Sequence, residues 1–212
     1  MICGVDEAGK GAVLGPMVVA TAGITDPGLL DSLGVRDSKK LTPRKREEIY
    51  SVLIEDCAHH VVYISPEEID SVLSLISMNM VVAQAHAACV EALHPITAYL
   101  DACDVNAARY ARTIGALLLH PCEIIAEHRA DSTYPIVAAA SIIAKVERDR
   151  AIADLASEYG DIGSGYPSDT KTIRFLRQYI LEQGISPPCA RKSWKTVSTL
   201  LSELKQTSLS DF

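Results

Sequence analysis

The chain reads as an α/β protein, a mixed β-sheet flanked by helices with a helical appendage at the C-terminal end. Short apolar runs of strand length alternate with longer stretches of helical character. The first apolar run, ICGVDEA, is followed after a glycine-rich turn by a second, PMVVATAGI, so the opening unit is a pair of strands rather than strand and helix. Beyond the turn-rich passage GDIGSGYPSD only helical patterns remain.

Each element follows in order. TPRKREEIYSVLIED is a helix with Thr42 as N-cap and Pro43 at its first position, where the missing N–H costs nothing. HHVVYISP is a strand that ends at proline. PEEIDSVLSLISMNMVVAQAHAACVEALH is helical with a break near Met78 and Asn79. PITAYLDA is a strand, and Asp104 to Asn106 opens the next helix, with Asp104 as its expected cap and its end near Leu119. CEIIAEH is a further strand, followed by an alanine-rich helix from about Pro135 to Tyr159. Two helices near 170–183 and 193–204 complete the pattern. The expected organisation is a catalytic domain over 1–165, a helical subdomain over 166–204 and a tail over 205–212.

With 212 residues, the chain is long enough to bury a core as one domain. Its net charge of −7 argues against a passive nucleic-acid coat, which would be basic overall. The positive charge is concentrated, however, in RDSKKLTPRKR (36–46) and in RKSWK (191–195) around the only tryptophan. The six cysteines form no CxxC pair, and several sit in apolar runs as small hydrophobes. No basic segment precedes the first apolar stretch, and no apolar run approaches the length of a membrane span. The expectation is a cytoplasmic monomer with no membrane contact.

The acids carry the chemistry. Asp6 and Glu7 close the first strand, Asp101 closes ITAYLD, and Asp131 lies just past EIIAEHRA. Loops beyond strand ends are where an α/β sheet gathers functional groups. Several carboxylates held together repel one another and resist desolvation, and a hard divalent cation relieves both costs. Period-2 geometry prevents Asp6 and Glu7 from sharing one face of a regular strand, so Glu7 is expected where the chain bends. Each acid also has a structural alternative: Asp131 or Ser132 could cap the long helix, and Asp101 could be an exposed strand end. The glycines after the acids could cradle a nucleotide phosphate, but GKGAVLG lacks the GxxxxGK[ST] spacing and leads into a strand.

The stretches GVDEAGKG, GPMVVA, DSKKL, YLDACDVN, AEHRADSTYPIVAAASIIAKVERD and GSGYPSD, in this order and over essentially the whole chain, resemble ribonuclease HII, the type 2 ribonuclease H family, and its archaeal members most. The resemblance implies a ribonuclease H-like fold and endonucleolytic cleavage of RNA paired with DNA, including incision 5′ of single ribonucleotides embedded in duplex DNA. It implies Asp6, Glu7, Asp101 and Asp131 as catalytic and metal ligands for two Mg²⁺ or Mn²⁺ ions, with 3′-hydroxyl and 5′-phosphate products. The family's glycine–arginine–glycine sensor of the ribose 2′-hydroxyl falls on Gly9, Lys10 and Gly11. Lysine there keeps a cation and loses the planar fork. The tyrosine that stacks at the RNA–DNA junction falls on Tyr166. In this reading an ion between the acids and the phosphate removes their repulsion.

Phosphate contact is expected for Lys39, against the alternative of a solvated helix face. Ser141, Lys145 and Arg148 share a face of the long helix; Lys145 reaches either phosphate or a neighbouring acid. Trp194 reads as core, with Arg191 and Lys192 available to backbone phosphates. None of the six histidines forms an evident acid–base pair with the acids, and His128, three residues before Asp131, is the one to inspect. In the tail, Gln206, Leu209 and Phe212 resemble the motif that docks replication and repair enzymes on the sliding clamp, shortened by one aromatic. Competing readings are a junction-resolvase-like nuclease and a hybrid-binding module without catalysis.

Overall fold

The structure is a computed structural model that describes residues 1–26, 28–35 and 41–210. In chain order the elements are β1 (Ile2–Ala8), β2 (Met17–Ile24), α1 (Gly28–Leu33), α2 (Pro43–Asp56), β3 (Ala58–Ile64), α3 (Pro66–Val72), α4 (Met78–Leu93), β4 (Thr97–Asp101), α5 (Ala107–Leu117), β5 (Glu123–Glu127), α6 (Ala130–Thr133), α7 (Pro135–Tyr159), α8 (Thr170–Gln183) and α9 (Lys195–Ser210). The sheet has five strands in the order β3-β2-β1-β4-β5. β1 and β2 are antiparallel, with Asp6 opposite Ala20, while β1/β4 and β4/β5 are parallel.

The chain divides into two units. The first comprises Met1–Ala8, Val18–Tyr63 and Met78–Glu147; the second comprises Gly9–Met17, Ile64–Ser77 and Arg148–Phe212.

In the first unit, every residue of β2 is buried, as expected of a strand covered on both faces. The alanine-rich half of α7 packs on one face through Val137 to Ala140, Ile143 and Ala144, against Ala20, Ala22 and Ile24 of β2. Gly4 makes that approach possible. A Cβ there would lie 2.3 Å from the Ile136 carbonyl oxygen and 2.6 Å from the Val137 nitrogen. On α5, Tyr110 and Ile114 form the buried stripe. The Thr42 side chain accepts from the Lys45 N–H and Pro43 opens α2. α5 differs from expectation: Asn106 is its N-cap, and Asp104 instead accepts the Asn106 N–H and pairs with Arg109. Asp131 and Ser132 lie inside α6, so neither caps α7.

The second unit has its own core, with Val13, Leu14, Ile162, Leu176, Ile180, Val197 and Leu200 buried and Trp194 packed against them. Asp169 caps α8 by accepting from the Lys171 N–H, and Gly184 closes that helix with φ 72°. α9 runs to Ser210, past the expected end at Leu204, because KQTSLS contains no glycine or proline to stop it. Gln206 and Leu209 therefore belong to a helix, while Phe212 lies outside the described residues.

Candidate active site

In the first unit, parallel pairing of β1 with β4 matches Val5 to Leu100, so Asp6 and Asp101 come next at the same level of neighbouring strands. Asp6 is buried, at 6% exposure. Burial foremost, then the charges of Glu7 and Asp101, raise its carboxyl from 3.8 to about 8, against hydrogen bonds from Ser141 and the Glu7 backbone. The Glu7 N–H donates to Asp6 Oδ1 at 2.8 Å. On α7, Lys145 Nζ donates to Ser141 Oγ at 2.7 Å, which leaves the serine hydrogen free for Asp6. Lys145 thus meets a hydroxyl rather than an acid.

Glu7 corrects an expectation. It sits in the regular ladder opposite Val19, with no bend. Alternation turns its side chain to the other face, where α4 supplies His86. His86 Nε2 lies 3.1 Å from Glu7 Oε2, and its Nδ1 lies 3.1 Å from the Tyr110 hydroxyl of α5. A carboxylate accepts, so Nε2 is the side of the ring that donates to Glu7, and the Tyr110 hydroxyl completes the ring's contacts at Nδ1. Burial raises the Tyr110 phenol far above its ordinary range, which keeps it a hydroxyl. The histidine search therefore ends on His86, fully buried, while exposed His128 faces the Ala102 and Val105 carbonyls. One signal was available. His86 stands with Val82 and Val90 on the apolar stripe of α4, and a buried imidazole requires partners.

Asp101 Oδ1 accepts the Ala130 N–H at 2.9 Å, which ties the end of β4 to the residue before Asp131. Asp131 is itself buried at 4% and takes the Ser132 hydroxyl at 3.3 Å. Asp6 thus feels the charges of Glu7 and Asp101, and Asp131 is linked to Asp101 through Ala130. Among the described residues, no trio from these four brings its oxygens within 4.8 Å of one another. The donor set is all oxygen and fits a hard divalent cation.

In the second unit, Gly9 adopts φ 84°, and a Cβ there would lie 2.3 Å from Arg148 Nε. Its N–H donates to the Tyr166 hydroxyl at 3.2 Å. The Arg148 guanidinium stacks 4.5 Å over the Tyr166 ring and donates to the Ser164 carbonyl. The Gly165 carbonyl accepts from the N–H groups of Val13 and Leu14, pinning the chain just past the turn. A Cβ on Gly11, in contrast, would meet nothing within 4 Å.

Arg191 also differs from expectation. It is fully buried and cannot reach a phosphate. Its Nη1 donates to the Lys10 carbonyl at 3.0 Å, and its Nε and Nη2 donate to Gly15 O at 3.2 and 3.1 Å. Burial lowers its pKa to about 10. It is a clamp on the glycine turn, legible in sequence only as one cation among several. Lys39 lies outside the described residues.

A family model described as Ribonuclease HII matches residues 3–197. The chain is 56% identical over 212 residues to Ribonuclease HII of Methanoregula boonei, spanning all of both chains. It is similar in structure to ribonuclease H2 from Pyrococcus horikoshii OT3, with TM-score 0.91 and 40% identity over 97% of this chain and 99% of that one. The PCNA:RNase HII complex from Archaeoglobus fulgidus matches with TM-score 0.88 and 42% identity over 92% and 95% of the respective chains. These matches bear out the ribonuclease H-like fold as well as the sequence resemblance. On that ground the chain belongs to the ribonuclease HII family and is a metal-dependent endoribonuclease.

Proposed function

We propose that this enzyme cleaves the RNA strand of RNA/DNA hybrids and incises 5′ of ribonucleotides embedded in duplex DNA, with Asp6, Glu7, Asp101 and Asp131 as metal ligands. The observation that carries this is the burial of Asp6 beside Glu7 and Asp101, an arrangement of oxygen donors that a divalent cation stabilises. Oxygen-only donors suit Mg²⁺ or Mn²⁺. Such ions, when bound, supply Lewis-acid stabilisation of the attacking and leaving oxygens.

The chain's own residues orient the site. Ser141 holds Asp6, backed by Lys145, and His86 backed by Tyr110 holds one oxygen of Glu7 while the other stays free. Gly9, Lys10, Gly11 and Tyr166 read the sugar. Supporting this, the space beside Gly11 is open, so packing does not account for the glycine there, whereas close approach of a ligand backbone does. The Tyr166 ring, fixed between Arg148 and the Gly9 N–H, is rigid enough to stack on a base or sugar. Lys39 contributes a phosphate contact.

Through Gln206, Leu209 and Phe212 the tail docks on a sliding clamp. The Archaeoglobus fulgidus relative is known in complex with PCNA, which supports that reading. A cytoplasmic setting fits the six free cysteines.

The test is gel mapping on a duplex with one embedded ribonucleotide, with and without Mg²⁺. A single metal-dependent cut 5′ of the ribonucleotide is expected, abolished in Asp101→Asn. Cleavage elsewhere, or of DNA junctions in preference, overturns the assignment.

A further inference from the structure

A different set of side chains converges at the other end of the parallel strands. Glu91 lies in the last turn of α4, His94 follows that helix, and His120 precedes β5. Ligand atoms of all three lie within 4.8 Å of one another, a juxtaposition the four site acids do not reach among the described residues. The strand β4 separates the two sets. His94 stands three residues before Thr97, and Asp101 is four steps of about 3.3 Å beyond it.

We propose that Glu91, His94 and His120 form a site for a borderline divalent ion such as Zn²⁺, apart from the carboxylate set. Imidazole donors favour such ions over Mg²⁺. The geometry is close to what they need. Two ligands about 2.0–2.2 Å from a tetrahedral ion stand roughly 3.3–3.6 Å apart, and His120 Nδ1 is 3.2 Å from Glu91 Oε2. His94 is exposed, its ring edge-on to His120 at a centroid distance of 4.6 Å, so side-chain rotation closes the third contact. Two histidines and a glutamate leave a fourth position for water.

Two observations disfavour a simple ion pair. Both ring nitrogens of His120 are shielded from solvent, yet neither has a hydrogen bond of good geometry, so the ring lacks what a buried imidazole requires. Pairing with Glu91 would satisfy one nitrogen at most. Glu91 is also held by the backbone, since its Oε1 accepts the Leu119 N–H. It is the kind of outer contact that holds a metal ligand in place. His94 occupies a left-handed backbone, φ 46°, where glycine or asparagine is usual at a helix end. An ion there would join the C-terminus of α4 to the segment entering β5.

The test is isothermal titration of the metal-stripped full chain with Zn²⁺, on wild type, Asp6→Asn, His94→Asn and His120→Gln. Asparagine tolerates the left-handed backbone at 94. One Zn²⁺ equivalent should survive in Asp6→Asn. It should weaken by more than about 100-fold in each histidine variant, since loss of an outer partner alone costs about 10–100-fold. Mg²⁺-supported cleavage should be unchanged in His94→Asn. Should His120→Gln fail to fold, X-ray absorption of the Zn²⁺-loaded Asp6→Asn protein counts the imidazoles directly, with two expected. Equal Zn²⁺ affinity in wild type and His94→Asn, or an all-oxygen shell, overturns the proposal.

Discussion

Replacing Asp6 with asparagine should stabilise the metal-free protein while abolishing its activity. The native state holds the Asp6 proton up to about pH 8, whereas an ordinary aspartate releases it near 3.8. Between those values the native state binds more protons than the unfolded chain, so stability falls as pH rises through that window. Below it both states are protonated, and above it both are ionised, so the dependence vanishes at either end. Each pKa unit is worth about 1.4 kcal/mol. The variant, which cannot ionise, should therefore gain on the order of 2–5 kcal/mol over wild type at pH 8 in a chelator. At about 2–4 °C per kcal/mol for a chain of this length, the difference in Tm is on the order of 10 °C. Calorimetric melts from pH 4 to pH 8 should show the gap opening with pH. Saturating Mg²⁺ should narrow it, because the ion stabilises the wild-type native state and finds an incomplete site in the variant. An Asp6→Asn protein no more stable than wild type at pH 8 without metal refutes the reasoning, since burial among acids would then impose no penalty.

Other substitutions probe neighbouring features. Tyr166→Ala should slow incision at a single ribonucleotide by about 5- to 100-fold, the worth of a stacking contact, and affect a long hybrid less; equal losses on both substrates count against a junction role. Gly4→Ala should cost about 1–3 kcal/mol or more in urea unfolding, because the added Cβ meets helix backbone rather than a movable side chain; an unchanged midpoint would mean that α7 shifts freely. Deleting 206–212 should leave cleavage of short duplexes intact and abolish clamp binding by calorimetry, and retained affinity would remove the tail from that role.

Much of this was legible in the sequence because local rules and tertiary packing agree. Pro135 and Gly160 bound α7, and Thr42-Pro43 announces α2. The break between α3 and α4 falls before Met78, where the notation of apolar spacing loses its period. The short helices α1 and α6 gave no periodic signal, having six and four residues respectively. The acids were found because their types and positions at strand ends are local information. Their partners were not, because His86 is 79 positions from Glu7 and Tyr110 another 24 from His86. Arg191 misled for the opposite reason. RKSWK looks like a solvated basic patch, and only the fold reveals that the turn's carbonyls satisfy a guanidinium desolvated among them.

The alternation that appeared to be an obstacle for Asp6 and Glu7 has a consequence for how the site is tuned. Neighbouring residues on one strand face opposite layers, so two helices each govern one acid. On the α7 side, Lys145 and Ser141 supply one hydrogen bond against burial and the charges of Glu7 and Asp101, and the Asp6 carboxyl stays high. On the α4 side, a histidine with a tyrosine behind it offers a proton to Glu7. Adjacent carboxylates thus occupy unlike environments. Substitutions within one layer share partners and should combine non-additively, as His86 and Tyr110 would, because removing either breaks the same chain. Substitutions in different layers meet through the Asp6–Glu7 pair, joined by one backbone hydrogen bond of 2.8 Å, and through the charge of Asp101, which acts on both Asp6 and Tyr110.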